Sequence, residues 1–472
     1  MSGPAETLRV YNTLSRSKEP LRPLSPGEVR MYVCGVTVYD LCHLGHARSA
    51  IVFDVIRRWL LFRGWRVRFV KNFTDIDDKI IRRAQTEGAT AEEIAERYIA
   101  EYYRDMDAIG VQRADVEPRA TAHVPQMIRL IERLLRVGAA YVVEGDVYFE
   151  VRRFPGYGRL SGKALDELLA GARVEVDERK RDPRDFALWK AAKPGEPAWP
   201  SPWGPGRPGW HIECSAMAME YLGETFDIHG GGEDLIFPHH ECEIAQSEAA
   251  TGRPFARLWV HNGFVNLGAE KMSKSLGNTL LIREIVKRHA PDALRLWLLG
   301  THYRHPVEYS EERLQDAGRA LERFQRLFRE ARVAAGSVGT APSPPDEVRA
   351  AADQFVAAMD DDFNTPQALA ALFELRAALF ARLDRGPGDQ AGRAALAAGV
   401  AELRRLAGAL GLFEHVEAGA GPPPEVERLV AERAEARRRR DWARSDALRE
   451  EILRRGWVVE DTPAGPRLLP RR

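Results

Sequence analysis

The sequence has no net charge, few cysteines and no long apolar run. Lys+Arg and Asp+Glu both total 69 in 472 residues, so the overall balance does not indicate a basic nucleic-acid-binding protein. Four scattered cysteines do not form a disulfide framework. No uncharged stretch approaches the roughly 20 apolar residues that cross a bilayer, and the first residues lack a signal-peptide pattern. We therefore expect a soluble, cytoplasmic protein of roughly two to four domains.

The common phosphate-binding glycine motifs are also missing. No GxGxxG follows the first predicted strand and no GxxxxGK[ST] occurs anywhere, which argues against the usual dinucleotide fold and the P-loop. The pattern instead predicts a strand at residues 30–39, a helix at 45–63 that Gly64 ends, and a strand at 66–72. That order predicts a parallel sheet with a nucleotide-sized crevice at its carboxyl edge.

The composition and periodicity of the rest of the chain change several times. Proline and glycine cluster near the end of residues 115–209, which indicates an insertion, before a strand at 225–229, a helix at 238–250 and a strand at 258–266. Helical periodicity then dominates to residue 412, and a strand is expected at 456–459. We predict an α/β, Rossmann-like catalytic domain at residues 1–114 and 210–310, interrupted by an inserted domain at residues 115–209. An all-α bundle at residues 311–417 and a small α+β module at residues 425–472 are predicted to follow.

Two short motifs are candidates for a nucleotide clamp. His43, Gly45 and His46 fall at the predicted start of the first helix, where unpaired backbone N–H groups favour phosphate and glycine admits a flat base. Taken alone, this motif is more simply interpreted as two histidines near a helix start. Lys271 and Lys274 lie in a KMSKS loop flanked by glycines, and their ammonium groups could bracket a polyphosphate. The two motifs together, in this order on an α/β frame, are far more specific than either one.

A metal site is a second candidate. His239 and Glu243 are four residues apart on the predicted helix, so both side chains can meet one ion. Zinc also favours thiolates, which Cys34 and Cys214 could supply, while Cys242 is three residues from His239 and could compete. From spacing alone, buried structural cysteines are the simpler interpretation, because no CxxC motif is present.

The motifs carry a family resemblance. The HLGH and KMSKS sequences resemble the HIGH and KMSKS motifs of class I aminoacyl-tRNA synthetases. The stretches YVCGVT at 32–37, GWHIECSA at 209–216 and FPHHE at 237–241 are similar to cysteinyl-tRNA synthetases. This resemblance implies a zinc ion bound by Cys34, Cys214, His239 and Glu243, which binds the thiolate of the substrate and discriminates against serine.

The resemblance also implies the reaction and its partners. The family activates L-cysteine with ATP, accompanied by Mg²⁺, to cysteinyl-adenylate and pyrophosphate, and then transfers cysteine to tRNA-Cys. His43, His46, Lys271 and Lys274 are implied as the catalytic ATP-binding residues, with Gly45 also at the ATP. Other implied contacts are Thr74 and Trp210 in the cysteine pocket and Asp234, in a glycine-rich loop, at the ribose. The glycine run could equally be a plain tight turn.

One position departs from the family pattern. The family usually has Asn where this chain has Cys242, and we keep Glu243 as the ligand with Cys242 as a bystander. Cys42, beside the HLGH motif, is expected to serve packing. His240 is ranked below His239, on the expectation that it lies on a different helix face from Glu243.

The C-terminal half separates two enzymes that share this catalytic domain. The related cysteine:glucosaminyl-inositol ligase of mycothiol synthesis is shorter and lacks a terminal module, whereas residues 292–295, 361–366 and 441–465 resemble the synthetase. The final 48 residues, 425–472, carry thirteen arginines against ten acidic residues, which suits anticodon contact. A catalytically dead paralogue would show a damaged clamp or metal set, and both motifs are whole. We expect a monomer.

Overall fold

The structure of the protein is a computed structural model. This structure describes residues 8–163, 178–267, 270–271, 280–336, 344–386, 388–414, 424–462 and 465–470. The chain divides into two compact units: unit 1 comprises Met1–Pro291, Thr301–Ser310 and Asp360–Asn364, and unit 2 comprises Asp292–Gly300, Glu311–Met359 and Thr365–Arg472. None of the helices within the described residues combines the length and apolarity that crossing a membrane requires.

Unit 1 begins with a hairpin and a βαβ crossover. The two strands of the crossover are parallel, with Tyr32 opposite Val70, and the helix between them is buried over most of its length. The chain turns behind that helix at Gly64, whose φ of 87° is the left-handed conformation that glycine accepts without strain. The elements are β1 (Arg9–Asn12), β2 (Ser17–Pro20), β3 (Glu28–Thr37), α1 (Leu44–Phe62), β4 (Arg66–Thr74), α2 (Asp78–Glu87) and α3 (Ala91–Ala108).

A helix and an antiparallel sheet follow. The helix buries Met127, Ile131 and Leu134 on one face, at the spacing of an amphipathic helix. The four strands that follow it pair in sequence order and antiparallel. These elements are α4 (Val124–Arg136), β5 (Ala140–Val143), β6 (Asp146–Phe149), β7 (Phe186–Ala191) and β8 (Gly206–Pro208).

The chain then completes the parallel sheet. The elements are α5 (Trp210–Leu222), β9 (Phe226–Gly232), a 3₁₀ turn (Glu233–Leu235), a π turn (Ile236–His240), α6 (Glu241–Thr251), β10 (Ala256–Asn262), β11 (Val265–Leu267), β12 (Glu270–Lys271), α7 (Ile282–Val286), and β13 (Val307–Glu308). The main sheet has the order β10-β9-β3-β4 with every pair parallel, as the sequence predicted. The carboxyl ends of β3 and β9 therefore meet at one edge.

Three local predictions in this region are wrong. The strand expected at 225–229 continues to Gly232, so the glycine run is neither a loop nor a tight turn. Close packing explains these glycines: a Cβ on Gly230 would lie 2.3 Å from the Phe53 ring, and one on Gly231 would lie 2.9 Å from the His240 ring. The helix expected from residue 238 begins at Glu241.

The third wrong prediction is the single strand at 258–266. The structure has two strands, β10 and β11, separated at Gly263 and Phe264. A Cβ on Gly263 would lie 2.6 Å from the backbone carbon of His305, so this break is a site of close backbone approach.

Unit 2 is mostly helical, as the periodicity predicted. Its elements are α8 (Pro291–Leu299), α9 (Glu311–Ala335), α10 (Asp346–Asp360), α11 (Thr365–Asp384), α12 (Gln390–Gly408), α13 (Pro424–Arg438), α14 (Trp442–Arg454), β14 (Trp457–Thr462) and β15 (Gly465–Pro470). The first residue of α8 and the last of α10 belong to unit 1. β14 and β15 form an antiparallel hairpin, of which the sequence predicted only the first strand. The end of the chain has its own apolar cluster, formed by Val426, Leu429, Leu448, Ile452, Val459 and Leu468.

Candidate active site

The four predicted metal ligands lie together in the interior of unit 1. Cys34 is on β3, Cys214 on α5, His239 in the π turn and Glu243 on α6. Their ligand atoms all lie within 4.8 Å of one another, and all four residues are buried. His239 Nε2 lies 3.0 Å from Glu243 Oε1, and Cys34 Sγ lies 3.3 Å from the same oxygen. Because the elements are distant in sequence, only the fold makes this a cluster.

The donor set fits zinc. Zinc binds thiolate at about 2.3 Å and imidazole or carboxylate at about 2.0–2.2 Å, which in a tetrahedron separates the ligand atoms by roughly 3–4 Å. The distances from Glu243 Oε1 to His239 Nε2 and to Cys34 Sγ fall in that range. Two sulfur donors together with one nitrogen and one oxygen also favour a borderline-soft ion over calcium or magnesium.

Charge is concentrated at Glu243 and its histidine neighbours. Burial would raise the pKa of Glu243, but His229 and His239 outweigh it and hold that pKa at about 2. Burial would lower the pKa of His239, yet Glu243 and Cys214 raise it to about 10. Burial and the thiol of Cys214 raise the pKa of Cys34. The cluster therefore presents an ionised carboxylate where a cation would sit.

A second histidine pair, missed or undervalued from the sequence, borders the same cluster. His229 Nε2 lies 2.9 Å from Glu243 Oε2, and His240 Nε2 lies 3.3 Å from Cys34 Sγ. Cys34, His229, His240 and Glu243 form a second group whose spacing could hold a metal ion. His229 could have been found from the sheet register, because it is paired with Tyr32 on the strand that carries Cys34.

The argument that ranked His240 below His239 was wrong, because residues three apart lie on the same face of an α-helix. The prediction placed His240 and Glu243 on different faces of one α-helix. Residues 236–240 instead form a π turn in which Phe237 is extended, with φ −139° and ψ 132°. His240 Nε2 lies 3.9 Å from Glu243 Oε1, while its Nδ1 contacts His261 Nε2 at 2.8 Å.

Two other cysteines lie outside both groups. Cys242 Sγ is 3.2 Å from the Tyr157 hydroxyl, and burial raises the pKa of its thiol. Cys42 is buried before α1, where its backbone N–H donates to Asp105. Neither thiol belongs to a metal-holding group among the residues that the structure describes.

The predicted pocket residues Trp210 and Thr74 both contact this region. The Trp210 indole stacks on the His239 ring with centroids 4.3 Å apart and remains 40% exposed. Thr74 Oγ1 donates to Glu213 Oε2 at 3.0 Å. A partly exposed aromatic ring therefore covers the His239 imidazole.

His43 and His46 form a capping box at the start of α1. His43 Nδ1 accepts the N–H of Gly45 at 3.0 Å, and His46 Nδ1 accepts the N–H of His43 at 3.1 Å. The two rings stack with centroids 3.9 Å apart. A ring whose Nδ1 accepts carries its proton on Nε2 when neutral, so both imidazoles are Nε2–H donors. The simple interpretation, two histidines capping a helix, is therefore observed and also fixes their tautomer.

Local packing against His43 explains why position 45 is a glycine, and the sequence did not reveal this contact. A Cβ at this position would lie 2.8 Å from Cε1 and 2.9 Å from Nδ1 of His43. Any larger residue would push the His43 imidazole out of its cap. The glycine thus protects the histidine geometry, whatever else it admits.

The remaining candidates for nucleotide binding are Asp234 and the two lysines of the KMSKS motif. Asp234 lies exposed in the 3₁₀ turn after β9. Lys271 lies in β12, opposite Asn266 of β11, and Lys274 lies outside the described residues. The chain that follows the KMSKS motif returns to α1, because the N–H of Leu44 donates to the carbonyl of Leu280 at 2.9 Å. The described segment that begins at Leu280 therefore contacts the start of α1.

Comparison with known proteins covers nearly the whole chain. Residues 20–319 match the family described as tRNA synthetases class I (C) catalytic domain, residues 354–414 the DALR domain, and residues 420–465 the cysteinyl-tRNA ligase anticodon binding domain. A cysteine–tRNA ligase of Syntrophobacter fumaroxidans is 52% identical, with 98% of this chain and 99% of the relative covered. One of Alkalilimnicola ehrlichii is 53% identical, with 97% and 98% covered.

Solved structures of synthetases share the fold. Methionyl-tRNA synthetase of Mycobacterium tuberculosis, in complex with methionyl-adenylate, matches with a TM-score of 0.61 and 17% identity, covering 81% of this chain and 91% of that one. The LeuRS of Agrobacterium radiobacter K84, in a ternary complex with tRNA and LeuAMS, matches with a TM-score of 0.58 and 14% identity, covering 85% and 87%. At these identities the likeness concerns the fold alone.

Proposed function

The chain belongs to the cysteine–tRNA ligase family of class I aminoacyl-tRNA synthetases, an enzyme family, and we propose that it activates L-cysteine with ATP and transfers it to the 3′ end of tRNA-Cys. The observation that carries the amino-acid assignment is the buried cluster of Cys34, Cys214, His239 and Glu243. A cluster of this chemistry selects a thiol substrate, and Trp210 lies over its histidine.

The cluster supports discrimination between cysteine and serine. Bound zinc would supply a soft Lewis acid that prefers the thiolate of cysteine to a hydroxyl that stays protonated at neutral pH. Cys34, Cys214, His239 and Glu243 would hold it, while His229 fixes the second oxygen of Glu243. An apolar pocket could not separate oxygen from sulfur as well, because the two side chains differ so little in shape.

The nucleotide site is proposed at the start of α1. The Nε2–H groups of His43 and His46 would donate to phosphate oxygens, beside Gly45 and the N-terminal N–H groups of the helix. Lys271 and Lys274 would bracket the triphosphate, which binds with Mg²⁺, and Asp234 would accept from the ribose hydroxyls. These groups position and stabilise charge, and no general base is required because the substrate carboxylate is already ionised.

The proposed reaction has two steps. A carboxylate oxygen of cysteine attacks the α-phosphorus of ATP, the bond to the β-phosphate breaks, and pyrophosphate leaves with that electron pair. A terminal ribose hydroxyl of tRNA then attacks the acyl carbon and loses its proton to solvent, while the bond from that carbon to the phosphate oxygen breaks and AMP leaves with the electron pair. Thr74 is proposed at the cysteine pocket, because its hydroxyl donates to Glu213, the residue before Cys214.

The domain assignments follow the same proposal. Residues 1–114 with 210–310 would carry catalysis, residues 115–209 would be the inserted domain, residues 311–417 would contact tRNA, and residues 425–472 would bind the anticodon. The match of residues 420–465 to an anticodon-binding family supports the last assignment. We propose a monomer as the working unit.

Cysteine-dependent exchange of pyrophosphate into ATP tests the activation step. We expect exchange with cysteine and none above background with serine. Absence of exchange in zinc-containing protein would refute the activation proposal. Charging of tRNA-Cys, compared with acylation of glucosaminyl-inositol, then tests the acceptor, and a product with glucosaminyl-inositol alone would identify the mycothiol ligase instead.

A further inference from the structure

Asp105 on α3 is a buried carboxylate that contacts two separate segments beside the nucleotide motifs. Its Oδ2 accepts the backbone N–H of Cys42, the residue before His43, at 3.4 Å. Its Oδ1 accepts Nε and Nη2 of Arg283 at 3.2 and 3.0 Å. Its side chain is only 4% exposed, and Arg283 Nη2 also donates to Glu101 at 2.7 Å.

The same two segments are joined through their backbones. The N–H of Ile282 donates to the carbonyl of Cys42 at 3.1 Å, and the N–H of Leu44 donates to the carbonyl of Leu280 at 2.9 Å. These bonds form an isolated bridge with His43 opposite Leu281. Two hydrogen bonds are a short connection, and Asp105 reinforces it from one side by holding Cys42 and Arg283 at once.

We infer that Asp105 is a positioning residue for ATP, because it fixes the place of the His43–His46 capping box relative to the segment that follows the KMSKS motif. This inference rests on the proposed function, in which those histidines bind the triphosphate. Asp105 would touch neither ATP nor cysteine, and it acts through Cys42 and Arg283.

Energetics favour a geometric role over simple stabilisation. Burial raises the pKa of Asp105 above its ordinary value, although Arg283 and the N–H of Cys42 oppose that shift. The desolvation of the carboxylate is therefore incompletely compensated, and a buried ion pair of this kind is weak evidence for added stability. Its main effect is to restrict where the two segments lie.

The variant Asp105→Asn tests the inference in the full-length, zinc-containing protein. The amide oxygen can still accept from Cys42, but the NH₂ group faces the donors of Arg283 and cannot replace the second contact. We expect kcat/KM for ATP in pyrophosphate exchange to fall about ten- to hundredfold, as for a misplaced binding group. The KM for cysteine and the zinc content should stay unchanged, because the cluster ligands do not contact Asp105.

Matched variants complete the test. Asp107→Asn, on the same helix, removes the same charge from an exposed pair with Arg113 and should change neither constant. Arg283→Met should reproduce the loss for ATP, and Arg283→Lys, which keeps one charged contact to Asp105, should recover part of it.

The outcomes separate the two hypotheses. If the wild type is active and both Asp105→Asn and Arg283→Met have the same ATP kinetics as the wild type, the positioning role is overturned. Equal losses for ATP and cysteine, or loss of zinc, would also overturn it, because they indicate a general structural role. A wild type without cysteine-dependent exchange would refute the proposed function rather than the geometry.

Discussion

Glu243 holds His239 at 3.0 Å through Oε1, and its other oxygen contacts His229 at 2.9 Å. The carboxylate is buried with both imidazoles, so its negative charge is matched by protein groups before any cation arrives. A ligand set organised in this way loses little entropy when an ion binds, because its side chains are already oriented. The predictions below test this cluster, its aromatic cover, the capping box and the response of the fold to pH.

Removal of one thiol ligand should abolish metal and substrate binding together. In Cys214→Ser the hydroxyl does not ionise at neutral pH and is a poor zinc ligand. We expect the zinc content to fall from about one per chain to below about a tenth, with loss of cysteine-dependent exchange. Elemental analysis and the exchange assay measure both quantities. Cys242→Ser is the control, since this equally buried thiol contacts Tyr157 instead, and retention of zinc in both variants would mean that the ligand set is wrong.

Truncation of Trp210 should weaken cysteine binding without removing zinc. Its indole stacks on the His239 ring, so Trp210→Ala frees that ring to reorient. We expect the KM for cysteine to rise about tenfold, in the range of effects from groups that orient a metal ligand. Trp210→Phe retains a stacking surface and should lie close to wild type. Equal kinetics for the alanine and phenylalanine variants would show that stacking does not matter.

His43 should have separable structural and catalytic roles. As the N-cap of α1 it accepts the N–H of Gly45, so His43→Ala should lower the free energy of unfolding by about 1 kcal/mol. It should also reduce the exchange rate about a hundredfold, through loss of the Nε2–H donor. Asparagine also caps helices well, and His43→Asn should restore stability but not rate. Urea unfolding and pyrophosphate exchange measure the two effects, and recovery of the rate by asparagine would show that capping alone matters.

His302 should make the fold sensitive to acid. Burial lowers its pKa to about 4, although Asp362 opposes the shift. Between that value and about 6.5 the unfolded chain binds a proton that the folded protein does not, so the free energy of unfolding should fall as the pH drops through this window. His302→Asn, whose amide oxygen can accept the Arg304 N–H as His302 Nδ1 does, should remove this contribution. The expected difference is on the order of 1–2 kcal/mol, discounted for partial solvent exposure.

Urea midpoints measured at several pH values check this prediction. The comparison is between wild type and His302→Asn at each pH, because other buried histidines add to the acid response of both. His289→Asn, at a partly exposed position, is the matched histidine-to-asparagine control. Parallel curves for wild type and His302→Asn would contradict the assignment.

The local pattern of apolar residues was sufficient to predict much of the fold. The βαβ order around α1 and the helical C-terminal half follow from hydrophobic periodicity, and both are confirmed. Periodicity failed where tertiary packing controls the backbone. Gly230 and Gly231 look like a turn in sequence, yet they continue β9 because they pair with Val260 and His261 of β10. Phe53 and His240 leave no room for a Cβ there, which explains why both residues are glycine.

The candidate site shows the same division. The spacing of His239 and Glu243 and the two thiols were legible in the sequence, and the family resemblance joined them into one ligand set that stays a prediction. The contributions of His229 and His240 were not legible. His229 lies on β9, which pairs with the strand that carries Cys34, and the inward contacts of His240 are to Cys34 and His261, residues distant in sequence.

The sequence by itself determined the family, the order of strands and helices, and the residue types available for chemistry, because these depend on composition, spacing and periodicity along the chain. The tertiary structure alone decided which atoms meet. Cys34 and Glu243 are 209 positions apart in the sequence, yet Cys34 Sγ lies 3.3 Å from Glu243 Oε1. Asp105 likewise contacts both Cys42 and Arg283, which lie far apart in the sequence. Such contacts depend on sheet register, close glycine packing and desolvation, which act between segments distant in sequence and leave no periodic trace in either one.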